Sequence, residues 1–175
     1  PAGNAAHLTC LTVTKYERTL AVKLDMPIYG CDPDLYELGN KSNSRKVFRQ
    51  CGLKVPPGFE DLRNEEEIIH ALTELKLADP SLQRAVVKMN DGFSGEGNAV
   101  FSFAEMEDTE EVKRWVTDHL QQQLKIVAGD LTYKDFMFKF QHMGGIVEAF
   151  VEGAIKTSPS VQCRINPLGD CKVIS

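Results

Sequence analysis

Long apolar runs, basic blocks and paired cysteines are all missing from this 175-residue sequence, and each gap closes off a class of function. No stretch approaches the roughly 18 consecutive apolar residues of a membrane span, so no membrane role is expected. Lys and Arg number 20 against 25 Asp and Glu, a net charge of −5, and no basic cluster supplies the electrostatic footprint of a nucleic-acid binder. The five cysteines, Cys10, Cys31, Cys51, Cys163 and Cys171, are odd in number and show neither Cys-x-x-Cys nor His-paired spacing. A disulfide framework and a zinc site are therefore both disfavoured, and free thiols in a reducing compartment are the simplest account. Residues 1–11 lack the charged start and long apolar core of a signal peptide, which leaves the cytoplasm as the expected location. There is no internal repeat and no low-complexity segment. What remains, 42% hydrophobic and 26% charged, is an ordinary globular composition in a chain long enough to bury a core.

Along the chain, Leu8–Val13 and Pro27–Gly30 read as short strands around a helix at Glu17–Leu24, a strand-helix-strand unit of the α/β kind. Asn40 or Ser42 can cap a helix carrying Val47, Phe48 and Cys51 on one face and ended by Gly52. Val55-Pro56-Pro57-Gly58 cannot continue it. Asn64 with Glu67 three residues on resembles a capping box ahead of Ile68, Ile69, Leu72 and Leu75 at helical intervals. Asp108 or Thr109 caps a longer helix striped by Val112, Trp115, Val116, Leu120, Leu124 and Val127. Trp115 and His119 read there as packing and flanking residues, and His7, His70 and His142 are isolated from metal-spaced partners. Phe136, Phe140 and Met143 favour a helix over the strand that Phe136, Phe138 and Phe140 also permit. Val161–Ile165 and Lys172–Ile174 flank the turn at 166–170 as a hairpin, in which Cys163 and Cys171 do not sit directly opposite.

The stretch Arg84–Phe101, RAVVKMNDGFSGEGNAVF, carries the chemistry. Two apolar runs separated by Gly, Asn, Asp and Ser describe a hairpin, but the loop exceeds the about two to five residues usual for one. Gly92, Gly95 and Gly97 free several backbone N–H groups to converge on a phosphate, and Lys88 at the end of the first strand adds a cation. A nucleotide-phosphate loop and a plain hairpin both remain open on these residues alone. The lysine precedes the glycines, so a Walker loop fails; Gly95-Glu96-Gly97 lacks the third glycine of a kinase loop; and Phe93 stands where an EF-hand needs a ligand. No Gly-x-Gly-x-x-Gly follows a strand in 8–30, which discounts a dinucleotide-binding domain. Glu148, an acid between Ile146-Val147 and Phe150-Val151, is expensive to bury unless something meets it.

Taken in order, a lysine at a capped helix, the Pro-Pro-Gly exit, a helix, the strand-lysine-glycine-loop-strand hairpin, a further helix and Ile-Val-Glu-Ala-Phe-Val-Glu-Gly resemble the ATP-grasp fold. The wording is closest to ATP-grasp peptide ligases with a pre-ATP-grasp domain, MPIYGCDPDLYELGNKSNSRKVFRQCGLKVPPG resembling the junction. The resemblance covers essentially the whole chain and implies an α/β (α+β) fold: the end of a Rossmann-like pre-ATP-grasp domain over 1–39, the small nucleotide-binding subdomain with its following helices over 40–145, and the start of the second subdomain over 146–175.

The same resemblance implies ATP as the ligand. Lys41 and Lys88 are then the phosphate lysines, and Asp91–Asn98 the covering loop, with Ser94, Gly95 and Gly97 offering N–H groups. Glu148 accepts from the exocyclic amine of adenine, Val151 supplies backbone atoms to the base, and Glu152 is a weaker match for the ribose hydroxyls. It further implies a carboxylate-amine ligase acting through an acyl phosphate, with a carboxylate and an amine as substrates, or else a nucleotide-sensing or scaffold module. The magnesium ligands, typically a Glu-x-Asn pair, are expected outside this sequence, and Asn166 in its turn is no substitute. The opening proline and the strand-like ending at 171–175 read as the edges of a piece of a longer protein, inactive by itself. ATP-grasp modules of this type occur in IQ-motif proteins, which makes calmodulin an implied partner through a helix that is not in these residues.

Overall fold

Asn64 shows how local chemistry sets the frame of this protein: its side chain accepts from the Glu67 N–H at 2.9 Å and starts the longest helix. In the computed structural model, which describes residues 6–92, 95, 97–107, 111–157, 159–166 and 168–175, that helix is α3 (Glu65–Ala78). It buries Ile68, Leu72 and Leu75 against a five-stranded antiparallel sheet. The strands are β3 (Gly58–Leu62), β4 (Arg84–Met89), β5 (Asn98–Ser102), β6 (Leu124–Ile126) and β7 (Gly145–Ala149), in the order β3-β7-β4-β5-β6.

Alternation along β4 decides which residues face the core. Ala85, Val87 and Met89 are buried, and Arg84, Val86 and Lys88 point to the opposite face. The core face is covered by α3, by α4 (Val112–Gln123) and by α5 (Tyr133–Met143), and it is dominated by aromatics. Phe101, Phe103, Phe136 and Phe140 are almost wholly buried, and Trp115 packs edge-on to Phe101 with ring centroids 6.1 Å apart. Burying each of these rings contributes about 2–3 kcal/mol. Between α5 and β7 the chain reverses at Gly144, whose φ of +69° is a conformation that side-chain-bearing residues rarely adopt.

The opposite face of the sheet is covered in part by α2 (Lys41–Gln50), which packs on β3 and β7. Ahead of it lie β1 (Leu8–Thr9), α1 (Lys15–Lys23) and β2 (Ile28–Tyr29), with β1 and β2 parallel, then a 3₁₀ turn over Pro33–Gly39. The chain closes with an antiparallel hairpin of β8 (Cys163–Ile165) and β9 (Cys171–Val173).

The strand-helix-strand unit, both hairpins and helix α5 therefore stand where the sequence put them. Other expectations need correcting. Helix α2 is capped by Asn40 and ends at Gly52 as read, yet it buries Ser42 and Arg45 rather than Phe48 and Cys51, which are exposed. The α4 stripe stops at Leu120: the backbone leaves the helix after Gln123, Leu124 pairs with Phe101 in the sheet, and Val127 is exposed. The caps read at Asp108 and Thr109 lie outside the described residues, and Glu111 caps the helix, accepting from the Arg114 N–H at 2.9 Å. Strand β3 was not read at all. Strand β7 lies between β3 and β4 in the sheet.

Candidate functional site

Lys41 and Lys88 come from different elements and are brought to one place by Asn90. The side chain of Asn40 accepts from the Asn43 N–H at 2.9 Å, opening α2 with Lys41 as its first residue. The Lys41 N–H donates to the Asn90 carbonyl at 3.3 Å. Buried Asn90 uses its Oδ1 to accept from the Ser42 N–H at 3.0 Å and the Ser42 hydroxyl at 2.7 Å, and its Nδ2 donates to the Met143 carbonyl at 3.2 Å. Its own N–H donates to the Gly144 carbonyl at 2.8 Å, and the Ser42 Oγ accepts from the Asp61 N–H at 3.0 Å. The end of β4, the start of α2, strand β3 and the turn into β7 thus meet at one amide side chain. A buried amide with both ends satisfied fixes geometry, because every alternative leaves a polar group unpaired.

Two residues before Asn90, Lys88 projects from the face away from the core. Register sets Asn98 and Ile146 beside it, and Glu148 opposite Val86 on the same face. Glu148 is only 8% exposed, and the partner its burial demanded is double: its Oε1 meets the Lys88 ammonium and its Oε2 meets Nη1 of Arg45. Arg45, 5% exposed, also donates from Nε to Glu60 Oε1 at 2.6 Å and from Nη2 to the Pro56 carbonyl at 2.7 Å. Glu60 is gripped a second time by Arg49, at 2.6 and 2.9 Å. Burial pushes the Glu60 carboxyl up, but the guanidinium groups of Arg49 and Arg45 together outweigh it and hold the group below the usual carboxylate range.

Burial lowers the Lys41 ammonium below the ordinary lysine range; the Lys88 charge adds to this, and Asp91 opposes it only in part. Gly92 lies beside that ammonium, and Gly97 packs against Gly92 and Met89. A Cβ at Gly92 would lie 3.2 Å from the Gly97 Cα and 3.5 Å from the Lys41 Nζ, and one at Gly97 would lie 3.2 Å from the Met89 Cβ. The buried Asn98 Oδ1 has no hydrogen-bond partner among the described residues. Two cations near enough to feel one another's charge, one of them beside a bare glycine backbone, with an open acceptor on the neighbouring strand, could hold an anion that also carries hydroxyl groups.

The other candidate residues are distributed more widely. Gly95, at φ +86°, accepts from the Asn98 N–H at 3.0 Å, the Gly97 carbonyl accepts from Met89, and Ser94 lies outside the described residues. Val151 is exposed just past β7. Glu152 is held by Arg84 in a bidentate pair at 2.8 and 2.7 Å and by Lys156 at 3.3 Å, and the Arg84 contact leads in bringing its carboxyl down to about 2. A cavity of about 690 Å³ is walled by residues 9–13 and 29–32, the 3₁₀ turn, Asn40, Asp91 and Arg164. Among the described residues no group of three or more His, Cys, Asp or Glu gathers as a metal site. No helix among them is long and apolar enough to cross a membrane.

A family model described as "IQCH-like, ATP-grasp" matches residues 33–130, more than half of the chain and the span that carries both lysines and the glycine loop. The chain belongs to this family. It is also similar to the IQ motif-containing protein H of Danio rerio, 23% identical over 201 residues that take in 99% of this chain and 19% of that protein. The chain thus spans about a fifth of that relative's length.

Membership in an ATP-grasp family accords with the mixed helix and strand architecture. Three residues that organise the site were not singled out from the sequence. In the sequence Arg45 is one of several charged or polar residues of α2, Glu60 lies in a stretch with no strand pattern, and Asn90 stands in the polar run that follows β4. The signal available was Glu148 itself, an acid in a central strand that had to be matched by a cation nearby.

Proposed function

We propose that this chain is an ATP-binding module in which Lys41 and Lys88 take the phosphates. The observation that carries the reading is that these two lysines, from separate elements, lie close enough for the Lys88 charge to lower the Lys41 ammonium, which itself stands beside the backbone at Gly92. Mutual repulsion between ammonium groups is tolerated where an anion is to be bound, and the Asn90 junction keeps the lysines there without one. The half-exposed side chains of Val86 and Val100 offer an apolar surface beside them for a base. Bound ATP supplies a transferable phosphoryl group. The chain's own residues position its phosphates and balance their charge, which is most of what a protein contributes to such chemistry.

The cavity of about 690 Å³ next to Asp91 favours a second reading, in which the longer protein activates a carboxylate as an acyl phosphate for attack by an amine. Under that reading the carboxylate enters from the side of β1 and β2. A nucleotide-sensing or scaffold role in a calmodulin-binding, cytoplasmic protein is the competing outcome.

Calorimetric titration of ATP, with and without magnesium, into the wild type and Lys88→Ala tests the module. Micromolar binding lost in a folded Lys88→Ala supports an ATP site. No binding in either protein sinks the nucleotide reading and leaves a scaffold.

A further inference from the structure

The β8–β9 hairpin brings two thiols together that the nucleotide reading does not use. Its register pairs Cys163 with Val173 and Ile165 with Cys171, so both cysteines stand on one face of the ribbon, as diagonal neighbours. Arg164 and Lys172 pair with one another on the opposite face, where Arg164 lies over the Tyr29 ring. The cysteines do not sit directly opposite, as the turn spacing indicates, but the right-handed twist of a ribbon draws one set of diagonal neighbours inward. Here the two thiols are near enough for one to hydrogen-bond the other.

Both residues are exposed, so an oxidant reaches them without opening the fold. Cys163 holds its proton more firmly than an ordinary thiol, first through desolvation and then through its Cys171 neighbour, which suits the second sulfur to react rather than the first. A bond between the two would close residues 163–171 across a ribbon whose strand residues are all exposed and which is marginal by itself. Arg164 also walls the cavity, so whatever pins the ribbon pins that wall.

We propose that Cys163 and Cys171 form a redox site, a dithiol that a peroxide converts to a reversible disulfide locking the hairpin. The Cys171 sulfur attacks the peroxide, the O–O bond breaks, and one water leaves behind a sulfenic acid. The Cys163 sulfur then attacks Cys171, the S–O bond breaks, and the oxygen departs as a second water with the Cys163 proton. The two thiols lose two electrons and two protons, and the peroxide takes up both. A bond of this kind in a reducing compartment is a transient, sensing one rather than a structural staple. The inference is independent of the ATP-binding reading and stands or falls without it.

The test treats the reduced protein with hydrogen peroxide and maps its thiols by mass spectrometry. Trypsin cuts after Lys156, Arg164 and Lys172, which puts the two cysteines in separate peptides, 157–164 and 165–172. In the folded protein these should appear as one linked species that dithiothreitol separates, formed faster than in urea. The amides of Gln162 and Ile174, which donate to the Ser175 and Gln162 carbonyls, should then exchange with deuterium about ten-fold more slowly. Cys163→Ser should abolish both the link and the slowing, and should leave Cys171 as a sulfenic acid that dimedone captures. Peptides that stay separate, or that link instead to Cys10, Cys31 or Cys51, overturn the proposal. An equal rate in urea does so as well, because nearness in sequence rather than the hairpin would then bring the thiols together. Slowing that persists in Cys163→Ser refutes the lock.

Discussion

The central sheet and the terminal β8–β9 hairpin are both antiparallel, yet they are held by different physics. In the sheet, β4 is paired on both edges and alternates between a dry face of aromatics and a face carrying a buried ion network. In the hairpin, all six strand residues are exposed, and it touches the rest through the Tyr29 hydroxyl, which donates to the Ile165 carbonyl at 3.3 Å, and through Arg164 lying 4.8 Å from the centre of the Tyr29 ring. A two-stranded hairpin is marginal by itself. Strand pairing alone therefore does not make a rigid scaffold; burial on at least one face does, and the site residues draw their precision from the strands that have it.

The sharpest way to break the comparison is to excavate the dry face. Phe101→Ala should destabilise the protein by about 3–5 kcal/mol in urea denaturation, because the ring is fully enclosed by Phe103 and Trp115. Next comes the ion network. Arg45→Met strands Glu148 and Glu60 with one cation each and should cost about 3 kcal/mol, with Lys88 alone left to hold Glu148. Asn90→Ala should cost about 2 kcal/mol and weaken ligand binding, since it unties Lys41 from the end of β4. Against these, Ile165→Ala in the exposed hairpin should change stability by less than about 0.5 kcal/mol. An equal loss at Ile165 would mean that the hairpin is buried against something.

Acid sharpens the same contrast. The Glu60 carboxyl is held below its unfolded range, so its contribution is fully present above the ordinary glutamate pKa of 4.5 and is lost as pH falls through the lowered value. Denaturation curves taken downward from pH 5 should steepen accordingly, and Glu60→Gln should flatten them. Lys41 runs the other way: its ammonium is held below 10.5, so the cost of burying it charged is relieved as pH rises through that lowered value, and anion binding should weaken over the same interval.

What the sequence made legible were features written locally. The Asn64 and Asn40 caps, the β4–β5 hairpin and the place of Lys88 at a strand end each depend on a few neighbouring residues. Its errors came where distant residues decide. Leu124 and Val127 continue a helical stripe perfectly well, and only pairing of Leu124 with Phe101 pulls the chain into the sheet. Gly58-Phe59-Glu60-Asp61-Leu62 has no strand pattern because its acid faces two arginines rather than water or core. Arg45 is indistinguishable from a surface arginine until Glu148, 103 residues later, is beside it. At the site itself, the lysines and glycines could be read in order, whereas the carboxylate between Lys88 and Arg45 depended on a register that no short window contains.

Asn90 also has a signature in the exchange of amide protons. The amides of Ser42, Asp61 and Asn90 come from three stretches of chain far apart in sequence, and each is protected through the same junction: Ser42 by the Asn90 side chain, Asp61 by the hydroxyl which that side chain orients, and Asn90 by the Gly144 carbonyl beside it. They should exchange with deuterium at one common rate, as a single opening unit, and Asn90→Ala should split them into three.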